Sequence, residues 1–308
     1  MEILRNPSFD FLGKTRLWVA ISLLMVAVGW GYVYKQGGLR YGVEFSGGTQ
    51  LIVRFQSRPI IDRVRSAVDT VARGAMIQTY DDASKNQTLI RIPGGIEGEL
   101  QAQAQGVLKS LAGSYGENPV VESSTEIVGP IVGAELREKA RNLTLFGLLF
   151  QLIYIAFRFG GLVWGSAATI AVFHDVLVTL GLLAMFGYDI TLNVIAALLT
   201  LVGYSVNDTI VVFDRVRENL RQRRKDPLAK IINDSINQTL SRTLISSGTT
   251  FLTVLGLYLL GGEVLRSFAF TMVVGIIVGT YSSIYIASPI VVFWQSLRER
   301  RGPTAKAA

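Results

Sequence analysis

The stretch ITLNVIAALLTLVGYSVNDTIVVF, residues 190–213, decides the fold class, because it is apolar and long enough to cross a lipid bilayer as a helix. It nevertheless contains an acid, Asp208, within the motif GYSVNDT of residues 203–209. Ionisable groups at membrane depth are rare, face the protein interior and usually mark ion or substrate pathways. Asp208 is therefore the first candidate functional residue, whereas Asn207 beside it is expected to form packing hydrogen bonds.

Further stretches approach the same length and composition, so the sequence predicts a membrane protein with six spans. Half of the residues are apolar, 17% are charged and the mean hydropathy is +0.39, which excludes an ordinary soluble domain of 308 residues. No cleavage site of small residues follows the first span, which is interpreted as a retained anchor rather than a signal peptide. The predicted spans cover residues 17–34, 143–159, 162–186, 190–213, 244–260 and 267–294.

The positive charges of the chain indicate its orientation. The formal net charge is +7, and basic residues gather before the first span, in the loop 214–242 and in the tail 298–308. An even number of spans places these three regions on one side, and an excess of Lys and Arg marks the cytoplasmic face. We therefore expect both termini in the cytoplasm and the chain in the cytoplasmic (inner) membrane. This distribution argues against nucleic-acid binding.

A domain of soluble character, residues 35–140, lies between the N-terminal segment 1–34 and the remaining spans within residues 141–297. In this topology the domain is extracytoplasmic. Its apolar patterns predict the order β-α-β-β-α-β, which is that of an α+β, ferredoxin-like fold. The predicted fold class is thus a polytopic α-helical membrane protein with one extracytoplasmic α+β domain between the first two spans. Fold alone does not decide whether this domain is a passive module or a contact surface. The predicted strands are 49–56, 75–80, 88–92 and 120–128, and the predicted helices are 60–71 and 97–111.

Glycine-containing junctions lie at both ends of this domain. At its start, residues 42–49 read GVEFSGGT. Tight turning of the backbone explains these glycines better than a phosphate-binding loop, because no lysine and no helix follow. At its end, Gly129 and Pro130 close the last strand. Pro130 cannot continue a strand ladder and has a fixed φ, so the pair is a candidate hinge or rigid elbow.

The fifth predicted span has a polar face. At helical spacing it carries Arg242, Ser246, Thr249 and Thr253, which form one stripe. Arg242 and Asp208 have similar estimated depth on consecutive antiparallel helices, so we expect them to form an ion pair. Ser246 and Thr249 would then belong to a hydroxyl-lined proton pathway with Asp208 at its inner end. The alternative is that the pair only fixes the register of two helices.

His174 and Asp175 are adjacent in the third predicted span. Neighbouring positions on a helix point about 100° apart, so the two side chains are not expected to form one site by themselves. A hydrogen-bonded packing role and a proton-relay role are both open, and the packing role is favoured. The chain has one histidine and no cysteine, so neither a metal site nor another cofactor is expected.

No enzyme motif is recognisable, so no catalytic activity is expected. Gly13-Lys14-Thr15 resembles the end of a nucleotide-binding loop, but Ser8 occupies the position of its first glycine. Energy from ATP would have to come from a partner.

Small residues recur at every fourth position of the sixth predicted span. Such a ridge lets two helices approach closely, either within this chain or against a second subunit. The ridge consists of Gly275, Gly279, Ser283 and Ala287.

Several motifs together resemble bacterial SecF, a family of Sec translocon subunits that is grouped with SecD and is similar to one half of the resistance-nodulation-division transporters. The motifs occur in order over nearly the whole chain. The resemblance implies a non-enzymatic subunit that uses the proton gradient to promote late steps of preprotein translocation across the cytoplasmic membrane. The motifs are FSGGT at 45–49, VGP at 128–130, GYSVNDT at 203–209 with DR at 214–215, SRT at 241–243 and GTYSS at 279–283.

The resemblance also implies site residues and partners. The family's proton pathway includes the acid of the span-four motif and the arginine that opens span five, here Asp208 and Arg242, with a further acid expected from SecD. The chain would form a heterodimer with a separate SecD, and residues 275–287 are one candidate surface for that contact. Further implied partners are the SecYEG channel, YajC, YidC, SecA indirectly and the unfolded preprotein.

Two other functions compete with this one. The chain could be half of a proton-driven exporter of small molecules or lipids with the same architecture. Such an exporter would need a substrate pocket in its external domain, and this domain is small for one. Alternatively, the chain could be an assembly factor in which Asp208 and Arg242 are purely structural.

Overall fold

The protein is described from a computed structural model, which describes residues 7–80, 83–94 and 97–300. The first six residues of the predicted N-terminal segment and residues 301–308 of the predicted tail lie outside this part of the chain. The helices and strands, in chain order, are α1 (Thr15–Lys35), α2 (Val43–Ser46), β1 (Gly48–Phe55), α3 (Ile61–Asp69), β2 (Met76–Tyr80), β3 (Gln87–Pro93), α4 (Glu97–Ser114), β4 (Val120–Val128), α5 (Pro130–Phe159), α6 (Leu162–Met185), α7 (Leu192–Gln222), α8 (Leu228–Leu260), α9 (Glu263–Ser282) and α10 (Ser288–Arg300).

Six helices in the described part of the chain are long and apolar enough to cross a membrane, which confirms the predicted number. They are α1, α5, α6, α7, α8 and a sixth span, Val264–Leu297, that combines α9 and α10. Several extend well beyond their apolar stretch, because nothing breaks the helix there. α5 begins at Pro130, whose fixed φ suits a first helical turn. Gly160 ends α5 with a φ of +67°, a conformation that favours glycine.

The spans divide into an inner and an outer group. Within the most apolar 18 residues of each span, 50% are buried in α6, 44% in α7 and 50% in span six. The corresponding fractions are 17% in α1, 11% in α5 and 17% in α8. Small side chains of α6, among them Ala167, Ala168 and Ala171, let the inner helices approach one another. Polar side chains between α6, α7 and span six are therefore shielded from lipid. The outer helices present broad faces to lipid or to another protein.

Span six widens in its middle into a π-helical turn, Ser283–Ala287, between α9 and α10. Pro289 follows this turn and cannot donate a backbone hydrogen bond, and its ring would clash with a carbonyl of a regular helix. The wider turn relieves this conflict. Ser288 Oγ also donates to the carbonyl of Ser283 at 2.8 Å. Turns of this kind are frequent at functional sites.

The α+β domain has the predicted ferredoxin-like order. Its sheet has the strand order β2-β3-β1-β4, and every neighbouring pair is antiparallel. Alternate residues of β1 point into the core, where Leu51 and Val53 are fully buried. α3 and α4 contribute Val64, Val68 and Val107 to the same core. The apolar alternation in the sequence was sufficient to predict this sheet, because one of its faces is buried.

The glycine-rich entry and the Gly129–Pro130 junction pack against each other. Gly47 follows α2 with a φ of +71°, and a Cβ there would lie 2.8 Å from the Cα of Pro130. The entry therefore turns tightly, as predicted, and glycine is needed for both conformation and space. Arg137 Nη2 of α5 donates to the carbonyl of Phe45 at 2.6 Å, which holds α2 against the start of α5. A hinge motion at Gly129 and Pro130 stays a prediction.

The domain is also tied to the loop between α6 and α7. Arg91 Nη1 of β3 and Asp189 Oδ2 form a largely buried ion pair at 2.7 Å. Beside it, the backbone of residues 40–42 and that of Ile190 exchange two hydrogen bonds of 2.8 Å. Burial raises the pKa of Glu44 in α2 above its ordinary value, and Arg91 is one of the groups that oppose this rise. Arg91 thus interacts with two carboxylates where the domain meets the spans.

Candidate functional site

Asp208 lies where α7, α8 and span six meet, and 5% of its surface is exposed. Ser247 Oγ of α8 donates to Asp208 Oδ2 at 2.7 Å. Thr280 Oγ1 of α9 lies 3.5 Å from the same oxygen and also donates to the backbone of its own helix. The acid is therefore held by neutral hydroxyl groups from two neighbouring helices, and Ser247 is its closest donor.

A small cavity of about 10 Å³ adjoins this acid, with room for about one water molecule. Close packing of α9 against α7 accounts for its size. A Cβ at Gly279 would lie 3.0 Å from the Cβ of Ser205, and one at Gly275 would meet the side chain of Leu201 at 2.5 Å. The cavity is lined by Tyr204, Ser205, Asp208, Ser247, Gly275, Ile276, Gly279 and Thr280.

The small-residue ridge of span six packs inside this chain. Gly275, Gly279, Ser283 and Ala287 are all buried, and the two glycines contact α7. The prediction that residues 275–287 offer a contact surface for a second subunit is therefore wrong for the ridge itself. A stripe of small residues favours close packing but does not specify which helix fills it.

The ion pair predicted between Asp208 and Arg242 is absent. Arg242 is exposed, and among the described residues no acid pairs with it. The buried face of α8 carries Thr243 and Ser247 instead, each one position after a member of the predicted stripe. One position corresponds to about 100° of rotation around a helix. The stripe therefore exists, but it faces outward.

The hydroxyl groups of the predicted proton pathway on α8 also face outward. Ser246, Thr249 and Thr253 are exposed, and each donates to a backbone carbonyl one turn earlier, at 3.1, 2.9 and 3.0 Å. Within this chain they form no path to Asp208. Asn207 is exposed on α7, and no hydrogen bond of its side chain is found in the described part of the chain, so its predicted packing role is wrong here.

His174 and Asp175 form one site, against the expectation from their adjacent positions. His174 Nδ1 and Asp175 Oδ1 are 2.9 Å apart. Asp175 is fully buried, and its Oδ2 accepts hydrogen bonds from Ser205 Oγ of α7 at 2.5 Å and from Ser282 Oγ of α9 at 2.8 Å. The angle between neighbouring side chains does not separate them, because Asp175 points into the helix interface and the imidazole ring folds back toward it.

The network continues from His174 toward α1. The phenolic oxygen of Tyr281 lies 3.2 Å from His174 Nε2 and 3.1 Å from Ser22 Oγ. Sequence reasoning missed Ser22, Tyr281 and Ser282 as site residues, although GTYSS at 279–283 was recognised as a motif. A run of hydroxyl residues in an apolar span was the available signal.

Comparison with known proteins identifies the family. Residues 108–297 match the family described as protein export membrane protein SecD/SecF, C-terminal, and residues 37–57 match the SecD/SecF GG motif. The chain belongs to the SecD/SecF family. The SecD/SecF GG motif includes Gly47, which lies against Pro130, and Gly48, where a Cβ would meet the carbonyl oxygen of Ile92.

Relatives in the SecD/SecF family match nearly all of this chain. The protein translocase subunit SecF of Desulfurispirillum indicum is 44% identical over 95% of this chain and 93% of its own length. The protein translocase subunit SecDF of Thermus thermophilus is 40% identical over 96% of this chain but only 40% of its own length. This relative carries both names and is a single polypeptide, which indicates that SecD associates with SecF in this family.

A crystal structure shares the fold. The translocon-associated membrane protein SecDF from Thermus has a TM-score of 0.82 and 40% identity, and the match covers 94% of this chain and 39% of that one. Six apolar helices with a four-stranded sheet between the first two are thus a SecDF-like architecture. This member of the SecD/SecF family is a multi-pass membrane protein.

Proposed function

We propose that the protein is a SecF-type subunit of the protein-export machinery, which uses the proton gradient to promote late steps of preprotein translocation across the cytoplasmic membrane. The observation that carries the proton-driven part is Asp208. It is a buried acid that only hydroxyl groups bind in the described part of the chain. A carboxyl group held in this way can bind or release a proton without breaking an ion pair.

The outward stripe of α8 supports a partner subunit. A helix that exposes an arginine at the start of its apolar stretch and several hydroxyl groups within it incurs a cost in lipid. A second membrane subunit with an acid opposite Arg242 would remove part of this cost. We therefore assign the stripe Arg242, Ser246, Thr249 and Thr253 to the contact with a SecD-type subunit, in place of the ridge of span six. Together with Asp208, it would form a proton pathway shared between the two subunits.

The family resemblance supports the rest of the proposal. The rest of the proposal is that both termini are cytoplasmic, that the α+β domain is extracytoplasmic, and that the subunit works without enzymatic activity or a cofactor. The proposed partners are a SecYEG-type channel, YajC, YidC, SecA indirectly and the unfolded preprotein. The basic residues in the loop 214–242 support this orientation, because positive charge marks the cytoplasmic side.

The test is export of a secretory precursor into membrane vesicles that contain the subunit and its SecD-type partner, with and without a proton gradient. In Asp208→Asn, we expect the gradient-dependent part of export to fall to the level seen without a gradient. Asp214→Asn is the matched control, because Asp214 lies on the same helix in a half-exposed ion pair with Arg158. Co-purification with the partner would show that both variants assemble. Gradient-dependent export by Asp208→Asn at the wild-type rate contradicts the proposal.

One observation favours the alternative, half of an exporter of small molecules or lipids. A cavity of about 490 Å³ with mainly apolar walls lies between α2, α5, α6 and α7. Arg137 and Arg141 lie on its wall beside residues such as Leu180 and Ile190. Proton-driven efflux of a lipid or dye that is lost in Asp208→Asn, with unchanged precursor export, would support this alternative.

A further inference from the structure

The network around Asp175 extends to α1 and α6, which the Asp208 site does not reach. It runs from Ser22 of α1 through Tyr281 of α9 to His174 and Asp175 of α6. It then reaches Ser205 of α7. Every oxygen or nitrogen atom along it has a partner at hydrogen-bond distance. A network that only fixed the packing of helices would not need an acid and an imidazole in contact.

The network can carry an extra proton without losing a hydrogen bond. With a neutral imidazole, His174 Nδ1–H donates to Asp175, and Nε2 accepts from the hydroxyl of Tyr281. Tyr281 in turn accepts from Ser22. After one proton is added to the pair, Nε2–H donates to Tyr281, whose hydroxyl donates to Ser22. The same distances of 3.2 and 3.1 Å serve both states, because a hydroxyl group can donate or accept.

Only uncharged side chains bond to the His174–Asp175 pair in the described part of the chain, so a proton is the charge that the pair can gain or lose. Ser22 faces it from α1, Ser205 from α7, and Tyr281 and Ser282 from α9. Among the described residues, no lysine, arginine or second acid is bonded to His174 or Asp175. A buried pair of this kind changes its net charge only by gaining or losing a proton, and each of its two forms is fully hydrogen-bonded.

Ser205 joins this pair to the Asp208 site. Its hydroxyl donates to Asp175 Oδ2, and the same residue lines the small cavity beside Asp208. On α9, Thr280 faces Asp208, while Tyr281 and Ser282 face the pair. A change of charge at one acid therefore acts on the residues that hold the other.

We propose that His174 and Asp175 form a second proton-binding site, coupled to Asp208 through Ser205. The proposal goes beyond the function proposed above, because the pair binds its proton whether or not Asp208 drives export. In this scheme a proton from the aqueous phase adds to the His174–Asp175 pair, which gains one positive charge. The hydrogen bonds through Tyr281 to Ser22 then reverse direction.

The single histidine makes this site directly observable. The full chain, labelled with ¹⁵N-histidine and purified without a histidine tag, gives imidazole signals from His174 alone. In lipid nanodiscs examined over a range that spans about pH 5 to 8, we expect these signals to change reversibly as the pair gains its proton. Signals that do not change over this range would overturn the proposal.

Two variants separate a proton site from a packing contact. Tyr281→Phe removes only the hydroxyl that bonds to Nε2, and Asp175→Asn removes the charge of the partner. We expect each to move the midpoint of the transition, Asp175→Asn by about one pH unit or more. Tyr285→Phe is the matched control, because Tyr285 lies one turn along span six and stacks on Trp18. An identical transition in wild type, Tyr281→Phe and Asp175→Asn contradicts the proposal.

The coupling has its own test. In Asp208→Asn the transition of His174 should persist, with a midpoint displaced from that of the wild type. When Ser205→Ala is also present, Asp208→Asn should displace the midpoint less, measured from the midpoint of Ser205→Ala alone. A midpoint that Asp208→Asn leaves unchanged rules out the coupling. None of these measurements uses export, so a failure of the function proposed above would not be mistaken for a failure of this site.

Discussion

Asp208 depends on one close donor. Ser247 Oγ is 2.7 Å from its carboxyl oxygen, whereas Thr280 Oγ1 is 3.5 Å away and also bonds to the backbone of Ile276. A hydrogen bond to a charged group contributes about 1.5–3 kcal/mol to its stabilisation. Ser247 therefore has a large part in setting the balance between the ionised and neutral forms of Asp208.

Replacing Ser247 should impair proton-dependent export, while the same change at a serine that bonds only to its own helix, away from both acid sites, should not. In Ser247→Ala, we expect the gradient-driven rate of precursor export to fall about 10- to 100-fold, which corresponds to the loss of one such hydrogen bond. Ser166→Ala is the control, because the Ser166 hydroxyl of α6 donates to the carbonyl of Val163 in its own helix and belongs neither to the acid sites nor to the stripe of α8. Equal rates for the two variants would show that the contact with Asp208 has no role.

The identity of the acid could be predicted from the sequence, but its partner could not. Asp208 is conspicuous because an ionisable residue in an apolar span is energetically costly and usually has a function. The choice between Arg242 and Ser247 depends on the rotation of α8 about its own axis. Packing against α7 and span six sets that rotation, and α8 has polar residues on both the buried and the exposed face. Helical spacing defines a stripe without defining what it faces.

At the level of elements, the seam between α7 and span six holds both acid sites in place. α9 lies close to α7 because Gly275 and Gly279 have no side chain. The spacing of small residues in the sequence predicted a close helix contact of this kind. The sequence could not say which helix would fill it, since any apolar span offers a similar surface. The π-helical turn was not predicted either, because Pro289 lies near the end of an otherwise regular apolar pattern.

A large side chain in this seam should destabilise the bundle. In Gly279→Leu, the new side chain meets Ser205 and forces α9 away from α7. Overpacking of this kind costs about 1–3 kcal/mol, or several degrees in the unfolding temperature. Gly203→Leu is the control, since no heavy atom lies within 4 Å of a Cβ at Gly203 on the exposed side of α7. Thermal unfolding in detergent measures both, and a similar unfolding temperature for the two variants would contradict the role of the seam.

For the whole molecule, the contact of the α+β domain with the spans links this domain to α7. The ion pair of Arg91 with Asp189 ties β3 to the loop that leads into α7, and Asp208 lies further along the same helix. The sequence predicted the domain and the spans separately. It did not predict their contact, because an ion pair between positions 91 and 189 leaves no local pattern.

Reversing one charge of this pair should release the domain, and reversing both should restore the contact. In Arg91→Glu two acids face each other in a largely buried site, and breaking such a pair costs about 3 kcal/mol. We expect hydrogen exchange in residues 187–191 to become faster, on the order of 100-fold. Arg91→Glu combined with Asp189→Arg should recover most of the protection.

The matched control is another ion pair of the same sheet. Arg54 and Glu122 are 2.8 Å apart but largely exposed, and such surface pairs contribute about 0–1 kcal/mol. Arg54→Glu should therefore leave exchange at residues 187–191 unchanged. If Arg91→Glu also has no effect there, or the double reversal gives no recovery, the ion pair does not hold the domain. The backbone hydrogen bonds between residues 40–42 and Ile190 would then be the main tie between the domain and the start of α7.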